Sequence, residues 1–166
     1  MMILLCQQVR LVYINGNMIV TAQSLIVTGG AGSPIMGSAS VGNSIYGGKG
    51  GIGIYFVGSY RTMSVSSDTY IEVRGGDGGA SLDISNTTYE YAGDGNLAIK
   101  NVSIDGLDST DRFYGGNGGS INAGTTNCYV GNGIAAKDSS VSTDLNTAIE
   151  NIVFVSGQQG AVVEDN

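Results

Sequence analysis

Glycine clusters break this chain so often that a long helix has almost no uninterrupted stretch in which to form. Gly-Gly-x-Gly-Gly occurs at Gly47–Gly51, Gly75–Gly79 and Gly115–Gly119, and an imperfect Gly29-Gly30-Ala31-Gly32 precedes them. Glycine supplies 28 of the 166 residues, against a usual share of about 7%. Each glycine in a helix interior costs about 1 kcal/mol relative to alanine, whereas glycine adopts positive φ without penalty and so suits tight turns. The clusters therefore read as corners between short strands. They follow no Gly-X-Y period, and Pro34 is the one proline, so a collagen triple helix is excluded.

Between the clusters lie β-like runs. Val9 to Ile14 and Met18 to Val27 flank Asn15-Gly16-Asn17, and Asn-Gly between β-branched runs is a strong hairpin signal. Ile52 to Val57 and Thr69 to Val73 follow. In Ala80-Ser81-Leu82-Asp83-Ile84-Ser85 the alternation is strict, which places Ala80, Leu82 and Ile84 on a buried face and the polar three outside. Leu97 to Asp105 alternates but slips at Lys100-Asn101, the mark of a corner or bulge. Ile149 to Ser156 reads as the closing strand. Ser142 to Asn151 is the one window that could hold a helix.

Internal similarity on this scale indicates a solenoid, in which each coil buries its apolar face against its neighbours. At roughly 20–45 residues per repeat the chain would hold roughly four to eight coils. The expected fold is all-β, an irregular β-solenoid of parallel β-helix type with glycine-rich turns; an antiparallel sandwich or jelly roll is the alternative. No charge-rich linker divides the chain. Residues 1–166 are read as a single domain, with a hairpin-like segment over 1–28 and glycine-punctuated strands over 29–166.

The strings Leu97-Ala98-Ile99-Lys100-Asn101-Val102-Ser103-Ile104-Asp105-Gly106 and Ile149-Glu150-Asn151-Ile152-Val153-Phe154-Val155-Ser156-Gly157 resemble rungs of right-handed parallel β-helices. The glycine clusters are similar to those of glycine-rich surface adhesins and phage tail-fibre adhesins. This resemblance implies a rigid shaft whose exposed loops bind a cell surface.

Charge narrows the partners. Charged residues make up 13% of the chain and the net charge is −7. Residues 1–76 carry four basic and two acidic side chains, residues 77–166 three basic and twelve acidic. An acidic half repels phosphate backbones, so no nucleic-acid partner is expected. A surface this poor in charge needs cover, and a homo-oligomer or larger assembly supplies it. No apolar stretch approaches the ~20 residues of a membrane span, and Met1-Met2-Ile3-Leu4-Leu5 lacks the basic flank of a signal peptide. An extracellular, cell-surface or virion location is expected.

The chemistry is restricted by what is missing. Without histidine there is no Ser-His or Cys-His nucleophile pair and no ordinary zinc site. Cys6 and Cys128 have no charged sequence neighbours and read as buried, inert thiols. Gly48-Lys49-Gly50-Gly51-Ile52-Gly53 matches the dinucleotide fingerprint formally, but a strand-like run follows it where a helix is needed. Gly75-Gly76-Asp77-Gly78-Gly79-Ala80 carries Ala80 where a calcium β-roll needs aspartate. No cofactor, metal or catalytic residue is assigned. Asp105, Asp108 and Asp111 form the best acidic or cation-binding cluster, and with Arg112 they carry the minority reading of a polysaccharide-degrading enzyme.

Nine tyrosines accompany three phenylalanines and no tryptophan. Tyrosine offers a flat apolar ring with a polar tip, suited to sugars and to protein interfaces. Tyr46 and Tyr114 stand directly before glycine clusters, and with Asn117 they are the candidate ligand-binding residues. The function expected is a non-enzymatic structural or adhesive protein of a surface appendage, filament or virion, self-assembling and contacting cell-surface glycans. A carbohydrate-binding module is the alternative.

Overall fold

A computed structural model describes residues 12–35, 44–81, 89–122 and 127–163. The chain makes four successive passes, all four of which contribute a strand to two of the five sheets. The first contains β1 (Val12–Ile14), β2 (Met18–Val20), β3 (Ser24–Thr28) and β4 (Ser44–Tyr46). The second contains β5 (Ile54–Phe56), β6 (Thr62–Val65), β7 (Tyr70–Arg74) and β8 (Tyr89–Tyr91). The third holds β9 (Ile99–Lys100), β10 (Val102–Asp105), β11 (Arg112–Tyr114), β12 (Ile121–Asn122) and β13 (Cys128–Tyr129). The fourth holds β14 (Val141–Thr143), helix α1 (Thr147–Val153), β15 (Phe154–Val155) and β16 (Val162–Val163).

Every strand pairing among the described residues is parallel, and strands pair between passes rather than within one. The sheets run β1-β5-β9, β2-β6-β10-β14, β3-β7-β11-β15, β4-β8-β13 and β12-β16. The protein is thus all-β but for one short helix, and its parallel sheets are incompatible with the antiparallel sandwich or jelly roll. The expected hairpin across Asn15-Gly16-Asn17 is also absent. β1 and β2 belong to different sheets, and each pairs with the next pass. The Asn-Gly turn is a corner here because Asn17 Oδ1 accepts from Thr62 N (3.1 Å) and Asn15 Oδ1 from Arg61 (3.3 Å), tying it to the following pass.

Register is constant from pass to pass: Thr28, Arg74, Tyr114 and Val155 align across one sheet. In-register alternation aligns apolar residues on one side of each sheet and buries them in a common core. Ile54, Phe56 and Ile99 come from one sheet, Val20, Met63, Val102, Ile104 and Val141 from the second, and Leu25, Val27, Ile71, Val73 and Phe113 from the third. Phe113 stacks on Phe154 at 4.9 Å. Burying a side chain of this kind contributes about 1.5–3 kcal/mol. The slip at Lys100-Asn101 is the corner between β9 and β10. Asn101 adopts φ 67 and its Nδ2 donates to the carbonyls of Phe56 and Gly58.

The glycine clusters are not the turns expected. Among the described glycines only Gly16, Gly58 and Gly106 have positive φ. The clusters instead form extended segments that run between the apolar core and the β4-β8-β13 end. Four run outward (29–33, 75–79, 115–119, 157–160) and three return (47–51, 93–97, 131–134). The two sets interleave through hydrogen bonds spaced three residues apart. Gly51 N donates to Gly30 O and Gly48 N to Ser33 O; Gly76 N donates to Gly51 O and Gly79 N to Gly48 O. The same rule links Gly93 to Gly79 and Asn96 to Gly76, and continues to Ile134–Gly157 and Gly131–Gly160. Three residues per turn without internal hydrogen bonds is the geometry of the polyproline II helix.

This packing explains which positions are glycine. A Cβ at Gly75 or Gly78 would overlap the backbone of the neighbouring return segment, and one at Gly76 or Gly79 the backbone of the previous outward segment. The third position, Asp77, is exposed. Hence Gly-Gly-x repeats, and x carries Ala31, Asp77, Asn117 and Gln158 in successive passes. Asp77 Oδ1 accepts from Asn117 N (2.7 Å) and Asn117 Oδ1 from Gln158 N (2.8 Å), so the outward column zips the passes together. In the last pass Ser156 and Gln159 occupy the places of Gly115 and Gly118, where no further described segment presses against them.

Two other expectations change. Ile149 to Ser156 is helical over most of its length and only Phe154–Val155 is strand. Asn146 caps the helix, its side chain accepting from Ile149 N (3.2 Å), and Lys137 pairs with Glu150 at 2.6 Å. The longer connection of the fourth pass thus folds onto the core with Val153 buried. Ser81, expected outside, is fully buried and its hydroxyl donates to the buried Glu90 (3.4 Å), while Ala80 is half-buried. Positions 82–85 of that expected strand lie outside the described residues, as does Cys6.

Candidate functional site

Constant register has one consequence at the β4-β8-β13 end. Tyr46, Tyr91 and Tyr129 are register partners, and parallel strands about 4.8 Å apart bring identical residues ring to ring. Tyr46 stacks on Tyr91 with centroids 4.8 Å apart and planes 9° apart, and Tyr91 on Tyr129 at 4.7 Å and 7°. Tyr89, two residues before Tyr91, lies 6.4 Å from Tyr91 and 6.5 Å from Tyr129. Tyr46 is 64% and Tyr129 48% exposed, so the ladder is a surface feature. Burial, followed by the neighbouring Tyr129, Tyr46 and Tyr89, pushes the Tyr91 phenol above its ordinary value. It remains a neutral hydrogen-bond donor well into alkaline solution.

The ladder forms one wall of a groove of about 660 Å³. Its floor is Gly47, Ala92, Gly93 and Val130, and its opposite wall is the outward column of the return segments, Lys49, Asp94 and Asn132, with Gln159 at one end. Asp94 Oδ1 accepts from Asn132 N (2.8 Å) and Nδ2 (3.1 Å), which holds both side chains in place. The Asp94 Oδ2 and the Lys49 amine have no partner among the described residues.

The structure separates the two tyrosines expected to act together. Tyr46 lines this groove, whereas Tyr114 and Asn117 line a smaller one of about 150 Å³ with Arg74 and Asp77. There the Arg74 guanidinium lies 4.0 Å from the Tyr114 ring centre and covers one face. Arg74 Nε also donates to Glu72 (2.8 Å), as does the Tyr70 hydroxyl (2.8 Å). Burial pushes the Glu72 carboxyl up, but the bonds from Arg74 and Tyr70 outweigh it and hold the group below its ordinary value. This groove is internally neutralised.

The acidic cluster does not assemble. Asp111 takes the register position of Leu25 and Ile71 in the core and is 1% exposed. Its Oδ1 accepts from Ile71 N (2.8 Å) and its Oδ2 from Asp108 N (2.9 Å). Burial pushes its carboxyl upward in spite of those bonds. Asp108 Oδ1 accepts from Thr110 N and Oγ1, both at 2.6 Å. These carboxylates close a turn and cap a strand, and among the described residues no three acidic or thiol groups are placed to hold a metal ion. Asp105 is exposed. Cys128, expected to be buried, is half-buried and borders the tyrosine groove.

Reading the sequence for Gly-Gly-x-Gly-Gly alone missed Tyr91, Tyr129, Lys49, Asp94 and Asn132 as a group. The signal that would have found them is Tyr-x-Gly-x-Gly, present at Tyr46–Gly50, Tyr91–Gly95 and Tyr129–Gly133. No protein-family model, curated protein or solved structure matches this chain. Among the described residues no helix is long and apolar enough to cross a membrane.

Proposed function

We propose that this chain is a non-enzymatic structural and adhesive module, an irregular β-solenoid that holds a binding surface rigid at the far end of its glycine segments. The observation that carries this reading is the threefold Tyr-x-Gly-x-Gly register. It builds an exposed aromatic ladder opposite a polar ladder, at the end of glycine segments packed backbone to backbone by hydrogen bonds. A surface that needs no rearrangement before contact suits adhesion, because little ordering entropy is lost on binding. Exposed Ile19, Ile26 and Val162 and the low charge support membership in a homo-oligomer or larger assembly at a cell surface or in a virion. Against the polysaccharide-degrading reading stands the engagement of Asp108 and Asp111 with backbone N–H groups.

The test combines light scattering with binding of the purified protein to immobilised cell-surface polysaccharides. An assembly of several copies that retains polysaccharide supports the reading. A monomer that binds none of them, or release of reducing sugar, contradicts it.

A further inference from the structure

We propose that the groove along the tyrosine ladder takes a linear, neutral glycan laid across the passes, with one sugar ring to each pass. This deepens the adhesive reading and rests on it. Four features of the groove select this ligand class.

First, its long axis is set by its walls. Tyr46, Tyr91 and Tyr129 form one and Lys49, Asp94 and Asn132 the other, and both run across the passes at the interstrand spacing. An elongated ligand with a short repeat fits such a trough. A compact one does not.

Second, most backbone N–H groups along the floor are already engaged. Gly47 N donates to Tyr91 O, Ala92 N to Tyr129 O, Gly93 N to Gly79 O and Gly50 N to Asp94 O. Between the two edge strands β4 and β13, recognition along the trough therefore falls mainly to side chains.

Third, the middle of the stack presents edges and hydroxyls rather than faces, and only the end rings Tyr46 and Tyr129 keep an outer face. Both faces of Tyr91 are covered by its neighbours. Ring edges carry the positive end of the aromatic quadrupole, so with the phenol groups they favour a ligand rich in oxygen over a planar aromatic one. The half-buried Val130 offers a small apolar surface for the C–H face of a sugar ring.

Fourth, the polar wall is balanced. Lys49 and Asp94 occupy one column and offset each other, and Asn132 and Gln159 are neutral. The chain carries a net charge of −7. An acidic polysaccharide meets no concentration of positive charge here. The Lys49 amine, Asp94 Oδ2 and the Asn132 carbonyl supply the donor and acceptors that a row of sugar hydroxyls requires.

The experiment is calorimetric titration of the intact protein with neutral gluco-, manno- and N-acetylglucosamine oligosaccharides of one to six rings, and with heparin as a polyanion. For at least one neutral series, affinity should rise from one ring to three and then level off. Tyr129→Ala and Asn132→Ala should each weaken the three-ring ligand at least tenfold. Tyr60→Ala, at a fully exposed corner tyrosine, should leave it unchanged. Circular dichroism checks folding, and if Tyr129→Ala unfolds then the exposed Asn132→Ala decides. Absence of binding by any neutral series at millimolar concentration overturns the proposal, as does binding of heparin alone. Tight neutral-glycan binding that survives both groove substitutions also overturns it, while leaving the adhesive reading in place.

Discussion

Replacing Gly50 with alanine tests the packing of the glycine segments at a single atom. The new methyl would overlap the Gly76 carbonyl and stand 2.9 Å from Asp77 O. Restoring an ordinary carbon separation of about 3.5 Å requires the two segments to part by more than about 1 Å. Gly76 N→Gly51 O and Gly79 N→Gly48 O, both 2.7 Å, would then exceed hydrogen-bond reach. Two buried donors left without partners cost about 1–3 kcal/mol each, and the overpacking strain adds about 1–3 kcal/mol. The expected loss is about 5 kcal/mol, a large part of a domain's stability. Lys49→Ala, one residue away, points outward and should change stability by less than about 0.5 kcal/mol. Urea unfolding followed by circular dichroism measures both. A Gly50→Ala loss under about 1 kcal/mol, or one equal to that of Lys49→Ala, would refute the close-packed interior.

Three further outcomes follow from local geometry. Asn101→Ala should cost about 2–3 kcal/mol in thermal unfolding, because it combines a left-handed backbone with the loss of the bonds to Phe56 and Gly58; Asn101→Gly, which relieves the backbone alone, should recover about 1 kcal/mol of this. Asp111→Asn should destabilise by about 1–3 kcal/mol in urea at neutral pH, since the amide turns a donor toward either the buried Ile71 N–H or the part-buried Asp108 N–H. The bonds from Thr110 hold the Asp108 carboxyl below its ordinary value. Its stabilisation is therefore complete above the unfolded aspartate value of about 3.9 and is lost as pH falls through the lower folded value. Between pH 6 and pH 2 the wild type should lose more stability than Asp108→Asn, and equal losses would contradict this assignment.

Much of the sheet was legible in the residues, and the interior was not. Val102, Ile104 and the slip at Lys100-Asn101 announced a corner between two short strands, because alternation in an in-register sheet maps directly onto burial. The glycine clusters were misread because glycine has two uses. Positive φ is the familiar one, yet at Gly76 and Gly79 the requirement is room for a neighbouring backbone. That requirement was present as a three-residue period, Gly-Gly-Asp-Gly-Gly-Ala at 75–80, with two glycines to each turn instead of the one that collagen shows. Asp111 looked like a surface acid because no local pattern reveals that its register partners are Leu25 and Ile71. The tyrosine ladder depends on a register between residues about forty positions apart, and only the recurrence of Tyr-x-Gly-x-Gly hints at it. The closing helix competed with a strand reading of the same residues. The Asn146 cap and the length of the last connection decided it.

Amide hydrogen exchange across residues 75–79 tests the central claim most directly. Gly75 N, Gly76 N, Gly78 N and Gly79 N donate to Tyr114, Gly51, Asn117 and Gly48, whereas Asp77 N finds no acceptor among the described residues. The expected result is protection at the four glycines comparable to that of Val73 in β7, with fast exchange at Asp77 between them. Fast exchange at all five, as in a solvated turn, would contradict the account.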